Sequence, residues 1–357
     1  MRLLVTGGAG FIGSAVVRAA LRDGDNSVVN VDKMTYAATP EALESVTANP
    51  GYGSRYRHVR ADIRDRDAMR EAFRAMAPDA VIHLAAETHV DRSIDEPTAF
   101  VETNVVGTFA VLEEARAYWS TLPAERQAAF RFVNVSTDEV FGSLGADGRF
   151  HGDSPYRPNS PYAATKAAAD HLARAWFRTY GLPVVVTNSS NNYGPFQFPE
   201  KLMPVIIAKA LSGEAIPIYG KGANVRDWLH VEDHAEALLL VARKGRPGAN
   251  YNIGDNNEKT NIDVAEAICA LLDELRPRSS PYRKLITFVE DRPGHDFRYA
   301  LDPSSVREDT GWRAQRSFAQ GLRETVEWYL ENESWLSRVR RDTYDGQRLG
   351  LKRGTTT

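Results

Sequence analysis

Short runs of β-branched and other apolar residues alternate along the chain with longer stretches whose apolar positions recur at helical spacing. Residues 3–6, 27–32, 57–60, 80–84, 132–136, 183–188 and 250–253 predict strands. Most are apolar throughout instead of alternating with polar residues, the pattern of strands covered on both faces. Between them 11–22, 66–76, 98–118, 161–180 and 231–243 predict helices. Strand and helix in turn predict an α/β fold, a Rossmann-type doubly wound parallel sheet.

The alternation changes after residue 191. Segments 192–199, 216–228 and 291–299 are rich in Gly, Pro and aromatic residues, with helices predicted at 202–211, 261–275 and 318–331. This reads as a smaller C-terminal α/β lobe for substrate. Residues 1–190 and 225–256 are assigned to the nucleotide-binding domain, 191–224 and 257–340 to the second lobe, and 341–357 to a polar tail.

Composition narrows the function. The 357 residues carry a net charge of −3, with no strong global pull on nucleic acid. Cys269 is the only cysteine, so neither an intrachain disulfide nor a Cys-rich zinc site is available. The histidines are scattered without a recurring ligand spacing, so no metal site is expected. No apolar run is long enough to span a membrane, and no signal peptide is read at the start. A cytoplasmic protein is the expectation.

Gly7-Gly8-Ala9-Gly10-Phe11-Ile12-Gly13 follows the first strand and opens the first helix. Glycines let backbone approach a pyrophosphate, and the helix N-terminus turns amides toward the anion. Asp32 ends the second predicted strand, nineteen residues beyond Gly13. A carboxylate there accepts from an adenosine ribose 2′-hydroxyl and repels a 2′-phosphate, which favours NAD over NADP; Lys33 beside it weakens that preference. Asp62 and Ile63 suit the adenine edge, or else an ordinary loop.

Tyr162 and Lys166 stand four apart at the start of a predicted helix, on one face. An ammonium close by favours a phenolate, so the pair can take a hydroxyl proton as NAD accepts hydride. The bland alternative is a surface helix pair. Ser136-Thr137-Asp138-Glu139 closes the fifth predicted strand, where a parallel sheet faces its ligand. Thr137 suits a bond to the reacting hydroxyl. Two carboxyls are not needed for hydride transfer. They suit a second event, with one taking a carbon-bound proton and the other protonating a leaving hydroxyl. Asp–Glu pairs are also common in solvated turns.

Together these runs resemble the extended short-chain dehydrogenase/reductases, and within them the branch of 4,6-dehydratases acting on dTDP-glucose. The resemblance is carried by VTGGAGFIGS from Val5, VDKMTYA from Val31, HLAAETHVDRSI from His83 and STDEVFG from Ser136. It continues through SPYAATKAAADHLARAW from Ser160, TNSSNNYGPFQFPEKLMP from Thr187, IPIYGKGANVRDWLHVEDH from Ile216, YNIGDNNEKTN from Tyr251 and DRPGHDFRYALD from Asp291. It implies that Tyr162 takes the sugar 4-hydroxyl proton, Glu139 the C5 proton, and that Asp138 protonates the departing C6 hydroxyl. NAD would be reduced and regenerated in each turnover, making the net chemistry that of a hydro-lyase.

The resemblance further implies that Lys166 holds the nicotinamide ribose and that Phe11, Ile12, Thr35, Leu84, Ala85, Ala86 and Thr103 line the cofactor. Asn191, Arg226, Arg292 and His295 would meet the diphosphate or nucleotide, where the planar Arg fork suits phosphate. Glu200, Lys201, Leu202, Pro217, Tyr219 and Asn261 would shape the nucleotide pocket, with Tyr219 offering a stacking face, and His89 would contact the sugar. A homodimer is implied, the helices near 98–118 and 161–180 pairing into a four-helix bundle; their apolar faces serve equally well as intramolecular core. Departures from the pattern are Ala38, Thr39, Thr88, Phe141, Phe196 and Gln197, none of them an acid or base in the scheme. Two rival readings are a nucleotide-sugar 4-epimerase or decarboxylase on the same scaffold, and a non-enzymatic dinucleotide sensor.

Overall fold

A computed structural model describes residues 1–342 of the chain; the expected tail, 341–357, lies almost wholly outside the described residues. In chain order the strands are β1 (Arg2–Thr6), β2 (Ser27–Asp32), β3 (Tyr56–Arg60), β4 (Ala80–His83), β5 (Arg131–Thr137), β6 (Val184–Ser189), β7 (Asn191–Tyr193), β8 (Ile216–Tyr219), β9 (Val225–His230), β10 (Asn250–Ile253), β11 (Glu258–Thr260) and β12 (Ile286–Val289). Seven form one parallel sheet in the order β10-β6-β5-β4-β1-β2-β3. The chain winds outward from β1 to β3, then returns to β4 on the other side of β1. This reversal opens a crevice at the strands' C-terminal ends. The seven strands predicted from apolar runs are these seven.

Both sheet faces are covered, which explains the continuous apolar runs. Helices Phe11–Arg22 and Val231–Lys244 bury one face through Val16, Leu21, Leu238 and Val241. Helices Arg66–Met76, Thr108–Ser120 and Pro161–Tyr180 bury the other through Met69, Phe73, Leu112 and Ala173. A further core draws only on residues from Tyr193 onward, including Ile206, Ile216, Ile268, Leu322 and Tyr329.

The smaller strands are not individually predictable, being three to six residues long within Gly- and Pro-rich stretches. β9 pairs with β7 and, antiparallel, with β11; β12 pairs with β8. The helix expected over 98–118 is interrupted by a π-helical turn, Val101–Gly107, ahead of Thr108–Ser120. Such wide turns re-aim side chains. Here Thr103 lines the crevice, and Asn104 bonds the backbone of Glu87 at 2.8 and 3.0 Å.

Candidate active site

The crevice is a cleft of about 310 Å³ walled by the ends of β1, β2, β4, β5 and β6. Its cofactor side is mostly backbone. Gly7 has φ +73°, and a Cβ on it would stand 2.7 Å from the Ala85 nitrogen. A Cβ on Gly13 would stand 2.1 Å from the Gly7 carbonyl oxygen, so the helix can meet the strand this closely only through glycine. Helix Phe11–Arg22 begins after Gly10 with no side-chain cap and no acidic residue in its first turn, leaving its opening amides to an anion.

Asp32 accepts from the Ala9 and Met34 amides at 2.9 and 2.8 Å, which shapes the loop and leaves lone pairs facing the cleft. Lys33 pairs with Asp62 at 2.8 Å, and with Arg64 it holds that carboxyl below the usual range. Thr35, Ile63, Leu84, Ala85 and Ala86 complete this wall. The residues fit a dinucleotide: a tight glycine turn, open helix amides and a carboxylate at the ribose position.

The candidate catalytic residues converge from two elements. β5 ends at Thr137, whose hydroxyl caps the following turn by accepting from the Glu139 amide at 3.3 Å and donates to Asp138 at 3.2 Å. Helix Pro161–Tyr180 starts with Pro161 behind a Ser160 cap, 3.1 Å from the Ala163 amide. Ser93 accepts from the Tyr162 amide at 3.2 Å, and the Thr137 hydroxyl opposes part of the rise in the phenol's pKa. Tyr162 is buried, so burial and the charge of Glu139 hold the phenol protonated more firmly than in water. No hydrogen bond joins Lys166 to the phenol among the described residues. Its Nζ donates to the Val135 carbonyl at 2.8 Å, because a buried ammonium needs an acceptor.

The two carboxyls differ. Asp138 is fully buried, with its Oδ2 unpartnered, and burial beside Glu139 raises its pKa well above the carboxylate range. Glu139 is also raised by burial, but Arg292, Lys201 and Arg226 oppose the shift. One environment favours a protonated acid and the other tolerates a base.

The substrate side is made of long side chains. Asn191, Glu200 and Lys201 line the same cleft. Glu200 accepts from Tyr36 and Arg92 at 3.3 and 3.1 Å, and Lys201 donates to the Thr88 carbonyl at 2.9 Å. Beyond the cleft wall, Asp91 accepts from Tyr219 at 3.0 Å and from Arg292 at 2.9 Å. His295 donates through Nδ1 to Asp291 at 2.6 Å, and burial pushes its pKa down to about 4. Arg226 stacks 4.4 Å over Tyr299 and donates to the Val225 and Asp296 carbonyls. Buried polar atoms here lack protein partners: Asn191 Oδ1, Asn261 Oδ1 and Arg292 Nε. Pro217 sits on β8, and Leu202 opens helix Leu202–Leu211; neither lines the main cleft.

His89 is buried with both ring nitrogens met by backbone, Nδ1 accepting from the Arg92 amide at 3.2 Å and Nε2 facing the Glu200 carbonyl at 3.4 Å. It braces the loop and stands off the cleft wall. Asp91 and Ser93, which position Arg292, Tyr219 and Tyr162, carry no distinguishing signal in the sequence. Both lie in HVDRS, but only the folded contacts reveal their roles. Among the described residues no group of three His, Cys, Asp or Glu gathers as for a metal, and no helix is long and apolar enough to cross a membrane.

Comparison with known proteins agrees with this geometry. The family described as GDP-mannose 4,6 dehydratase matches residues 4–325. The chain belongs to this family. Among its relatives, it is 58% identical over 98% of its length to a probable dTDP-glucose 4,6-dehydratase of Sinorhizobium fredii, 99% of which is covered. It is 55% identical over 98% of its length to the dTDP-glucose 4,6-dehydratase of Neisseria meningitidis, again covering 99%. A solved dTDP-glucose 4,6-dehydratase of Streptomyces venezuelae, with NAD bound, superposes with a TM-score of 0.85 at 44% identity; the match covers 95% of this chain and all of that one. The doubly wound fold is shared with it.

Proposed function

We propose that this chain is an NAD-dependent dTDP-glucose 4,6-dehydratase, a hydro-lyase converting dTDP-glucose to dTDP-4-keto-6-deoxyglucose and water. The observation that carries the reading is the unequal carboxyl pair, Asp138 and Glu139, beside Tyr162 and Lys166 on a dinucleotide cleft. The full-length relatives named dTDP-glucose 4,6-dehydratase support it.

Gly7, Gly10, Gly13, Asp32 and the walls around them would hold NAD, which would supply a reversible hydride acceptor for the sugar. The chain's own residues move the protons. Tyr162 would take the 4-hydroxyl proton as the phenolate, a form that burial opposes and that the Lys166 ammonium and the positive ring of bound NAD would favour, with Thr137 aligning that hydroxyl. The ketone formed at C4 acidifies C5–H, and Glu139 takes that proton. Asp138, kept protonated by burial, gives its proton to the C6 hydroxyl, which leaves as water. Glu139 then returns a proton to C5. Lys201, Arg226 and Arg292 offset the charge on Glu139, and the two arginines would meet the diphosphate.

The two-lobe division at 191, 225 and 257 belongs to this reading; a separate core of residues from Tyr193 onward supports a second lobe, although Trp228 of β9 packs in that core. So does a homodimer through the helices around Thr108–Ser120 and Pro161–Tyr180, which leave Val101, Val106, Phe109 and Tyr180 between 39% and 48% exposed. Sedimentation of a Val106→Glu variant as a monomer tests it. A buried Cys269 as the only cysteine suits the reducing cytoplasm. Incubation with dTDP-glucose should yield a 4-keto sugar without net NADH; stoichiometric NADH release, or an epimer without water loss, overturns the reading.

A further inference from the structure

Asp170 lies one turn beyond Lys166 on helix Pro161–Tyr180 and is fully buried. Its Oδ1 accepts from Asn134 at 2.8 Å. Its Oδ2 accepts from Ser136 at 2.7 Å, Tyr156 at 2.9 Å and Asn188 at 3.4 Å. Asn134 and Ser136 flank Val135, the residue whose carbonyl receives the Lys166 ammonium at 2.8 Å. The carboxylate therefore grips β5 on both sides of the point where the lysine is held. Thr137 and Asp138 come immediately after along the strand.

We propose that Asp170 is a positioning residue for the oxidation step, setting Lys166 in register with the end of β5 and keeping its ammonium charged in a buried site. This rests on the reading of Tyr162 and Lys166 as the pair that opens the reaction. Burial alone drives a lysine toward its neutral form, and Asp170 is the anion that opposes this at Lys166. The other ionisable neighbours do not substitute for it. His83 on β4 is bonded to Thr6 and Thr108, and burial keeps it neutral with a pKa of about 3. Arg174, a turn further on, donates to Tyr156 at 2.8 Å. Asp138 and Glu139 act on Tyr162, whose phenol stays protonated in this setting. Burial raises the pKa of Asp170 itself, and the Lys166 charge with the Ser136 and Tyr156 hydroxyls opposes that rise.

The test is Asp170→Asn, followed by single-turnover cofactor reduction from about pH 6 to 10. Loss of the anion weakens the hold on the Lys166 proton, so the alkaline limb should move down by roughly one pH unit or more. Asp170→Glu should restore part of the shift. A limb that stays in place while only the rate or KM changes overturns the proposal. If the variant turns over too slowly for a limb to be traced, the Lys166 ε-carbon shift in carbon-13-lysine protein reports the same titration, and an unmoved titration is equally fatal. If Asp170→Asn does not fold, Asp170→Asn with Lys166→Met decides: folding of the pair supports the charge coupling, and failure of both overturns it. Wild-type protein that makes no 4-keto sugar from dTDP-glucose refutes the proposed function instead, a result distinct from any of these.

Discussion

The cofactor side of the cleft is formed by backbone: a glycine turn, the open start of a helix and the ends of β1 and β2. The substrate side is formed by the tips of Arg, Lys, Glu and Tyr side chains from loops far apart in sequence, tied to one another through Asp91, Asp291 and Glu200. A backbone site is rigid and tolerates change poorly at its glycines but well elsewhere. A side-chain site depends on each ion pair that holds it, and it can be retuned one residue at a time. The unequal carboxyls stand where the two sides meet, Asp138 sealed under β5 and Glu139 turned toward the substrate-side cations.

The comparison breaks first at that meeting point. Glu139→Gln should slow C5 proton loss by about 10²–10⁴ while reduced cofactor still accumulates, because hydride removal from C4 does not use Glu139. Solvent deuterium entering C5 at the wild-type rate would falsify the assignment. Gly13→Ala then tests the backbone side. Its Cβ would press on the Gly7 carbonyl, costing about 1–3 kcal/mol and releasing NAD; a variant that keeps its cofactor through gel filtration at wild-type Tm contradicts a backbone-made site.

Asp91→Asn tests the other side. Freeing Arg292 and Tyr219 should cost about 1–2 kcal/mol of nucleotide-sugar binding, a roughly tenfold rise in KM, with NAD retention unchanged. Equal losses in both affinities would erase the distinction between the sides.

A further effect is in pH. His295 titrates at about 4 in the folded protein and near 6.5 when unfolded. Below 6.5 the unfolded chain takes up a proton that the folded chain refuses. The histidine's contribution is therefore full above pH 6.5 and falls as the pH drops toward 4. Relative to wild type, His295→Gln should gain in Tm on acidification over that window. A constant Tm difference argues that His295 is not held neutral.

The order of strands and helices was legible because a sheet covered on both faces demands uninterrupted apolar strands, and because glycine is required where backbone meets backbone. Those constraints act on neighbours in sequence. Val101–Gly107 escaped them: a π turn keeps a helical apolar pattern while rotating the helix beyond it. The smaller strands escaped because short strands among turns leave no period to read.

Sequence alone determined the doubly wound sheet and marked the dinucleotide turn and Thr137, Asp138, Glu139, Tyr162 and Lys166 as candidates, since the first follows from local apolar runs and the others from spacing and resemblance. Only the tertiary structure decided that Lys166 bonds Val135, that His89 braces a loop, that Asp91 ties Arg292 to Tyr219, and that Asp138 is sealed while Glu139 is attended by cations. The physical reason is that burial and long-range charge belong to positions in space, and residues up to two hundred apart along the chain set them together.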